Sequence, residues 1–157
     1  MSEELQLHGL IPQSCANGPG LRTVIWFQGC DLGCPGCFNP ETHSRSGGER
    51  WSVAALVDEV LALESSIEGV TISGGEPFQQ LQPLRHFLRL LKSRSQLSVM
   101  IFSGYRLTEL KAIPGADDVL AMTDLLIAGR YVNTRHLGRG LRGSSNQKIH
   151  FLSDRYF

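Results

Sequence analysis

Cys30, Cys34 and Cys37 fall within eight residues, in the run Gly29-Cys30-Asp31-Leu32-Gly33-Cys34-Pro35-Gly36-Cys37-Phe38. One short loop with this C-x3-C-x2-C spacing can turn three thiolates toward a common point while supplying no fourth ligand of its own. An iron–sulfur cubane takes a thiolate at each of several irons, and three of them from one loop leave one iron open for chemistry. Gly33 and Gly36 permit the backbone angles such a loop requires, and Pro35 stiffens its turn. Zinc competes for the same residues, but a structural zinc site takes four protein ligands, commonly from two paired segments. No second pair of cysteines follows, so zinc would have to recruit Cys15 or His43. Both metal readings stay open on the cysteines alone. A disulfide framework fits less well, because the thiols are clustered and Met1-Ser2-Glu3-Glu4 opens with neither a basic nor an apolar signal segment.

A second motif stands downstream. Val70-Thr71-Ile72-Ser73 has the β-branched character of a strand, and Gly74-Gly75-Glu76-Pro77 closes it with a turn where backbone can approach a ligand closely. Exposed main chain beside one carboxylate suits the amino group of an amino-acid-like ligand. The plainer reading is a simple strand-to-helix turn.

The C-x3-C-x2-C loop and Ser73-Gly74-Gly75-Glu76-Pro77 together resemble the radical S-adenosylmethionine superfamily. Within it, Asn17-Gly18-Pro19-Gly20-Leu21-Arg22, Cys34-Pro35-Gly36-Cys37-Phe38-Asn39 and Arg142-Gly143-Ser144-Ser145-Asn146-Gln147 resemble the activating enzymes of glycyl-radical proteins. The nearest likeness is to the branch that activates anaerobic ribonucleoside-triphosphate reductase. The resemblance implies a 4Fe-4S cluster on Cys30, Cys34 and Cys37, with S-adenosyl-L-methionine chelating the remaining iron. Reductive cleavage to a 5'-deoxyadenosyl radical follows, and that radical takes hydrogen from a glycine of a partner enzyme. Ser73, Gly74, Gly75 and Glu76 are then expected around the methionine amino group. Gly36 replaces the aromatic residue that many superfamily members carry before the third cysteine. Its backbone and the Phe38 ring are therefore expected to flank the adenine, with Phe38 as ordinary core the plainer alternative. The implied partners are a glycyl-radical enzyme subunit of the anaerobic ribonucleotide reductase type and reduced flavodoxin or ferredoxin as electron donor.

One departure bears on the substrate. Many reductase activases carry an acidic residue before the glycine that ends the penultimate strand, where this chain has Ile127-Ala128-Gly129-Arg130-Tyr131. A radical S-adenosylmethionine enzyme acting on another peptide or small molecule is accordingly the second reading, and a non-enzymatic zinc-stabilised binding module the third.

The elements that must position these residues alternate. Thr23 to Gln28 reads as a buried strand delivering the cysteine loop. Residues 51–63 read as a helix with Val53, Leu56, Val57, Val60 and Leu61 on one face and Ser52 as its cap. Strands are expected at 70–73, 98–103, 124–128 and 148–152, and helices at 81–93, with Leu84, Phe87, Leu88 and Leu91 inward, and at 108–111. Alternation of this kind predicts parallel pairing through right-handed crossovers. The expected fold class is α/β, a single-domain open partial (β/α) barrel with mostly parallel strands, residues 1–157 forming one radical S-adenosylmethionine domain with one cluster. Ligands of such sheets collect beyond the carboxyl ends of the strands, which puts both motifs on one rim.

Charge and hydropathy narrow the partners. Fifteen basic and fifteen acidic side chains give a net charge of zero, without the basic excess that nucleic-acid binding draws on. No apolar stretch is long enough to span a bilayer, so a cytoplasmic, membrane-free protein is expected. His8, His86, His136 and His150 show no ligand spacing. The glycine-rich stretch from Gly138 to Gly143 follows no strong strand and opens no helix, so it reads as a cover for the cleft or a partner contact rather than a phosphate cradle. The amides of Asn146 and Gln147 are expected beside the cofactor.

Overall fold

The computed structural model describes residues 3–37, 40–138 and 140–156. Its strands are β1 (Glu4–Ser14), β2 (Arg22–Phe27), β3 (Glu49–Ser52), β4 (Gly69–Gly74), β5 (Ser98–Ser103), β6 (Leu125–Ala128) and β7 (Lys148–Phe151). Helices are α1 (Val53–Leu61), α2 (Leu81–Arg94), α3 (Leu107–Lys111) and α4 (Ala116–Ala121). All seven strands form one open sheet in the order β3-β1-β2-β4-β5-β6-β7.

The centre of that sheet is parallel: β2 pairs with β4, β4 with β5 and β5 with β6. Its margins are not. β1 runs antiparallel to both β2 and β3, and β7 runs antiparallel to β6. The expectation of mostly parallel strands is therefore corrected to a parallel core of four strands with antiparallel flanks. The expected last strand exists, but the chain reaches it through the loop after β6 rather than through a helical crossover, and without a crossover the return is antiparallel.

β1 is the largest feature the sequence hides. Leu5 and Leu7 alternate inward, but the register shifts between Leu7 and Gly9 and again between Ile11 and Ser14, which breaks the alternation a strand is recognised by. Residues expected to start the first helix, Trp51 and Ser52, instead pair with Leu5 and Glu4 in β3. The helix begins at Val53, and the Ser52 hydroxyl oxygen accepts from the Ala55 N–H at 3.0 Å, the capping role expected of it. In α2, Pro83 sits in the first turn, where its missing N–H has no intrahelical partner to lose.

The helices pack on one face of the sheet. Leu56, Val57 and Val60 of α1, with Leu84, Phe87, Leu88 and Leu91 of α2, are buried against Ile25, Phe27, Val70, Ile72, Val99 and Ile101. Each of the larger side chains, fully buried, contributes about 1.5–3 kcal/mol of transfer free energy. The opposite face carries Met100, Leu125 and Ile127, covered by Phe102, Leu141 and Tyr156 instead of a helix. No helix among the described residues is long and apolar enough to cross a membrane.

Asp124 fastens the end of the chain to this frame. Its carboxylate accepts from the Val99 N–H at 2.8 Å and the Ser153 hydroxyl at 2.7 Å, and lies 3.5 Å from the Lys92 ammonium. Burial pushes the carboxyl up, but the Ser153 and Val99 hydrogen bonds and the charge of Lys92 outweigh it and leave it below its ordinary value. Such a group stabilises the fold fully above the ordinary carboxylate pKa of about 4, and that contribution is lost as the pH falls further. Asp124→Ala is expected to destabilise by about 2 kcal/mol near neutrality, with the gap from the parent narrowing in acid. Denaturant unfolding at neutral and acid pH checks this, and a gap that stays constant in acid refutes it.

Candidate functional site

The cysteine loop begins where β2 leaves the sheet and is held by its own returning strand of chain. The Gly29 N–H donates to the Thr42 carbonyl at 2.6 Å and the Cys30 N–H to the His43 carbonyl at 3.1 Å. Gln28, 3% exposed, reaches the same segment, its Nε2 donating to the carbonyls of Glu41 at 3.1 Å and Ser44 at 2.6 Å. Within the loop the Cys37 N–H returns to the Cys34 carbonyl at 3.3 Å, closing a turn over Pro35 and Gly36. Gly36 has φ +69, the left-handed geometry that a turn with proline at its second position takes at its third. A Cβ there would also press on the Asn133 side chain at 2.9 Å, so both conformation and space exclude a larger residue.

The second motif is sewn to the first. Beyond the last paired residues of β2 and β4, the Gly75 N–H donates to the Phe27 carbonyl at 2.8 Å and the Glu76 N–H to the Gly29 carbonyl at 2.9 Å. A Cβ on Gly75 would collide with the Gly29 carbonyl oxygen, so this approach requires glycine.

Glu76 is 1% exposed and joins three elements. Its Oε2 accepts from the Phe78 N–H at 3.0 Å and the Ser103 hydroxyl at 2.9 Å, and its Oε1 from the Gly104 N–H at 2.7 Å. Burial pushes its carboxyl up to about 7, against the pull of those donors and of the Arg130 charge.

Cys30, Cys34 and Cys37 line one small cavity of about 100 Å³ together with Ser73, Gly74, Gly75, Glu76 and His43. The Cys30 thiol is pushed up by burial first, and the charges of Glu76, Cys34 and Cys37 add to it. Three thiols and a carboxylate crowded this way repel one another once ionised, a strain that a cationic metal centre relieves. All three are free thiols of intermediate exposure. Among the described residues, no group of three or more His, Cys, Asp or Glu is arranged to hold one metal ion.

A second cavity of about 500 Å³ adjoins the first, sharing Cys37, Ser73, Phe102, Tyr131 and Gln147, with Asn17, Trp26, His136 and Arg142 among its other walls. Its size is that of a small-molecule site. A larger cavity, about 690 Å³, lies elsewhere, between the start of α3 and β7, and touches no cysteine.

Other sequence candidates are placed as follows. Gln147 lines both parts of the cleft, whereas Asn146 lies on the far side, its Nδ2 donating to the Arg130 carbonyl at 2.8 Å. Gly36 faces Asn133 and contributes to neither wall, and Cys15 is exposed outside both. Phe38 lies outside the described residues. From the glycine-rich stretch, Gly138, Gly140 and Gly143 line the larger part of the cleft, and the Leu137 N–H to Gly143 carbonyl bond of 3.0 Å folds the segment back on itself.

Several supporting residues escape sequence reasoning. Arg22 is fully buried, its guanidinium donating to the Thr71 hydroxyl at 2.8 Å and to the carbonyls of Val70 at 2.8 Å and Pro19 at 3.0 Å. Thr71 in turn donates to the Asn17 carbonyl at 2.7 Å, so Arg22 holds the Asn17 loop against the cleft. Asp31, between the first two cysteines, accepts from Arg45 at 2.9 Å and from Gln79, and Gln79 also donates to the Tyr105 hydroxyl at 3.1 Å. Arg22 enters the sequence reading only as the last residue of the Asn17 motif, and Asp31 and Gln79 carry no signal beyond a polarity that is equally the mark of solvent exposure.

The pattern of the 4Fe-4S single cluster domain family matches residues 16–150. The anaerobic ribonucleoside-triphosphate reductase-activating protein of Vibrio cholerae serotype O1 is 30% identical over 154 residues, covering 93% of this chain and 97% of that protein. Its counterpart from Escherichia coli K12 is 28% identical over 156 residues, covering 94% and 99%. The pyruvate formate-lyase-activating enzyme of Clostridium pasteurianum is 31% identical over 126 residues, or 78% of this chain, and the chain spans 50% of that relative's length. Among solved structures, the crystal structure of QueE from Escherichia coli superposes with a TM-score of 0.52 at 19% identity, covering 64% of this chain and 52% of that one. That likeness speaks to the fold.

Because Glu76 satisfies three buried donors at once, Glu76→Ala is expected to destabilise the metal-free protein by about 3 kcal/mol or more. Unfolding midpoints of the two apoproteins measure this. A loss under about 1 kcal/mol, the range of an exposed polar contact, would show that the carboxylate is not the anchor described.

Proposed function

Since the chain belongs to the 4Fe-4S single cluster domain family, among the radical S-adenosylmethionine activating enzymes of glycyl-radical proteins, we propose that it activates a partner enzyme by generating a glycyl radical in it. The observation that carries this reading is the shared cavity of Cys30, Cys34 and Cys37 with the Ser73 to Glu76 segment. Cys30, Cys34 and Cys37 would hold a 4Fe-4S cluster through their thiolates. When bound, that group supplies one electron to the sulfonium of S-adenosyl-L-methionine, giving methionine and a 5'-deoxyadenosyl radical that takes hydrogen from a glycine Cα.

The protein's share of the work is binding, orientation and exclusion of water. The Ser73 to Gly75 main chain lies where the methionine amino group would sit. Glu76 sits behind it with its oxygens already committed to protein donors, so it acts as an anchor for the turn. The wider cavity beside Cys37 offers room for the nucleoside, with Phe38 proposed at the adenine; the Gly36 backbone, which lines neither part of the cleft, is not proposed there. The partner favoured is an anaerobic ribonucleoside-triphosphate reductase, because relatives of that name align over 93% and 94% of this chain and over 97% and 99% of their own length. Reduced flavodoxin or ferredoxin is the proposed electron donor, and the cytoplasm the proposed compartment.

We read the sheet as an open partial (β/α) barrel and residues 1–157 as one domain with one cluster. β2, β4, β5 and β6 are added in one direction with their helices on one face, the winding that produces barrels, whereas a doubly wound sheet reverses and carries helices on both.

Anaerobically reconstituted protein is expected to be brown and to release 5'-deoxyadenosine when reduced with S-adenosyl-L-methionine. With the reductase of the same organism it is expected to give a glycine-centred doublet by electron paramagnetic resonance. Cys30→Ala, Cys34→Ala and Cys37→Ala should each abolish both signals. A colourless zinc protein, or a cluster protein indifferent to S-adenosyl-L-methionine, sinks the reading.

A further inference from the structure

From Leu125 to Ser153 the chain carries Arg130, Arg135, Arg139, Arg142 and Lys148 and no Asp or Glu, in a protein whose net charge is zero. The charge is therefore segregated along the chain, and one of these cations, Arg142, lines the wider part of the cleft. Arg130 is neutralised, its guanidinium donating to both oxygens of Glu109 at 2.9 and 3.1 Å. That pairing holds the Glu109 carboxyl down to about 2. Arg139 lies outside the described residues.

The other three cations are not cancelled, and two of them are oriented. Arg135 Nε donates to the Ser145 hydroxyl at 2.9 Å, and Arg142 Nη1 donates to the carbonyls of Ser145 at 3.3 Å and Gln147 at 3.2 Å. Among the described residues, none of Arg135, Arg142 and Lys148 has a carboxylate within ion-pair distance. All three line a single open groove of about 680 Å³, together with Ile149, which is 40% exposed. The groove runs into the cleft, because Arg142 and Gln147 belong to the walls of both.

Unneutralised cations at fixed positions recognise anionic groups, and an exposed apolar side chain among them recognises a chain that also carries apolar residues. We infer that this groove docks an acidic, extended segment of the protein that is activated, laid beside β7 so that the neighbouring part of the same chain enters the cleft. This rests on the function proposed above, which supplies a macromolecular substrate. Nucleic acid fits the groove less well, since no Phe, Tyr or Trp lines it for base stacking and the chain has no overall basic excess.

The test pairs two charge variants of the reconstituted holoenzyme. Arg135→Glu/Lys148→Glu should raise the reductase concentration needed for half-maximal glycyl radical by roughly tenfold or more. It should also flatten the loss of activation that the parent shows on going from about 50 to about 200 mM KCl. Arg135→Lys/Lys148→Arg should behave as the parent, and release of 5'-deoxyadenosine without reductase should be the same in all three. Half-saturation unchanged by charge reversal overturns the inference. An independent arm uses a fluorescent Glu-rich peptide, expected to bind the parent and to lose roughly tenfold in affinity on charge reversal. Equal binding to both proteins, or equal competition by a single-stranded oligonucleotide, overturns the inference as well. Absence of any radical with the parent would count against the proposed function, while the peptide arm would still decide the groove.

Discussion

The site depends on a seam of two main-chain hydrogen bonds, Gly75 N–H to the Phe27 carbonyl and Glu76 N–H to the Gly29 carbonyl, that continue the β2 to β4 pairing past the strands' ends. Parallel strands ordinarily part at their carboxyl ends and leave a crevice there. Here the two central strands stay joined for two more bonds, so the cysteine loop and the Gly-Gly-Glu turn leave the sheet as neighbours. Glu76 extends the seam to the third strand through Ser103 and Gly104, so the carboxyl ends of β2, β4 and β5 are fixed to one another. Side chains at this rim thus have their positions set by the most regular part of the fold.

Away from the seam, amide and guanidinium groups hold what apolar packing cannot. Among the described residues, the chain from Cys30 to Gly48 contributes nothing to either buried apolar cluster. It is ordered through Gln28, through Gln6, whose side-chain amide donates to the Arg45 and Gly47 carbonyls, and through Asp31, Arg45 and Gln79 at its tip. Such contacts are worth little when exposed and considerably more when buried. Gln28 therefore carries more of the loop's order than the exposed Asp31 to Arg45 ion pair.

What the sequence made legible follows where one force dominates. Leu84, Phe87, Leu88 and Leu91 repeat at helical spacing and are buried as that spacing requires, and Ser52 caps α1 because a hydroxyl before an apolar run has little else to do. The cysteine and Gly-Gly-Glu motifs could be put on one rim because both follow strands of the parallel core. β1 was not legible: Gly9, Pro12 and two register shifts interrupt its alternation, and its place between β2 and β3 is set by pairing across the sheet. Trp51 was assigned to a helix because its neighbours are apolar with helical period, whereas Leu5 claims it for β3. Nothing in the type of Arg22 signals burial, which only the carbonyls of Val70 and Pro19 converging on it explain. In each case the missing information lies in a partner far away along the chain.

The apolar interior and the cysteines occupy separate parts of the molecule. The main buried cluster lies between the sheet and its helices, and it contains none of Cys30, Cys34 or Cys37. Small domains built around a metal fold only as they acquire it. The main cluster of this chain shares no residue with the cysteine cavity, which only Phe102 and Ile127 of the smaller cluster reach, so its packing does not wait on a metal. Biogenesis can accordingly proceed in two stages, with translation delivering a finished scaffold and an iron-sulfur donor loading it afterwards, and a molecule stripped by oxygen remains a template for repair.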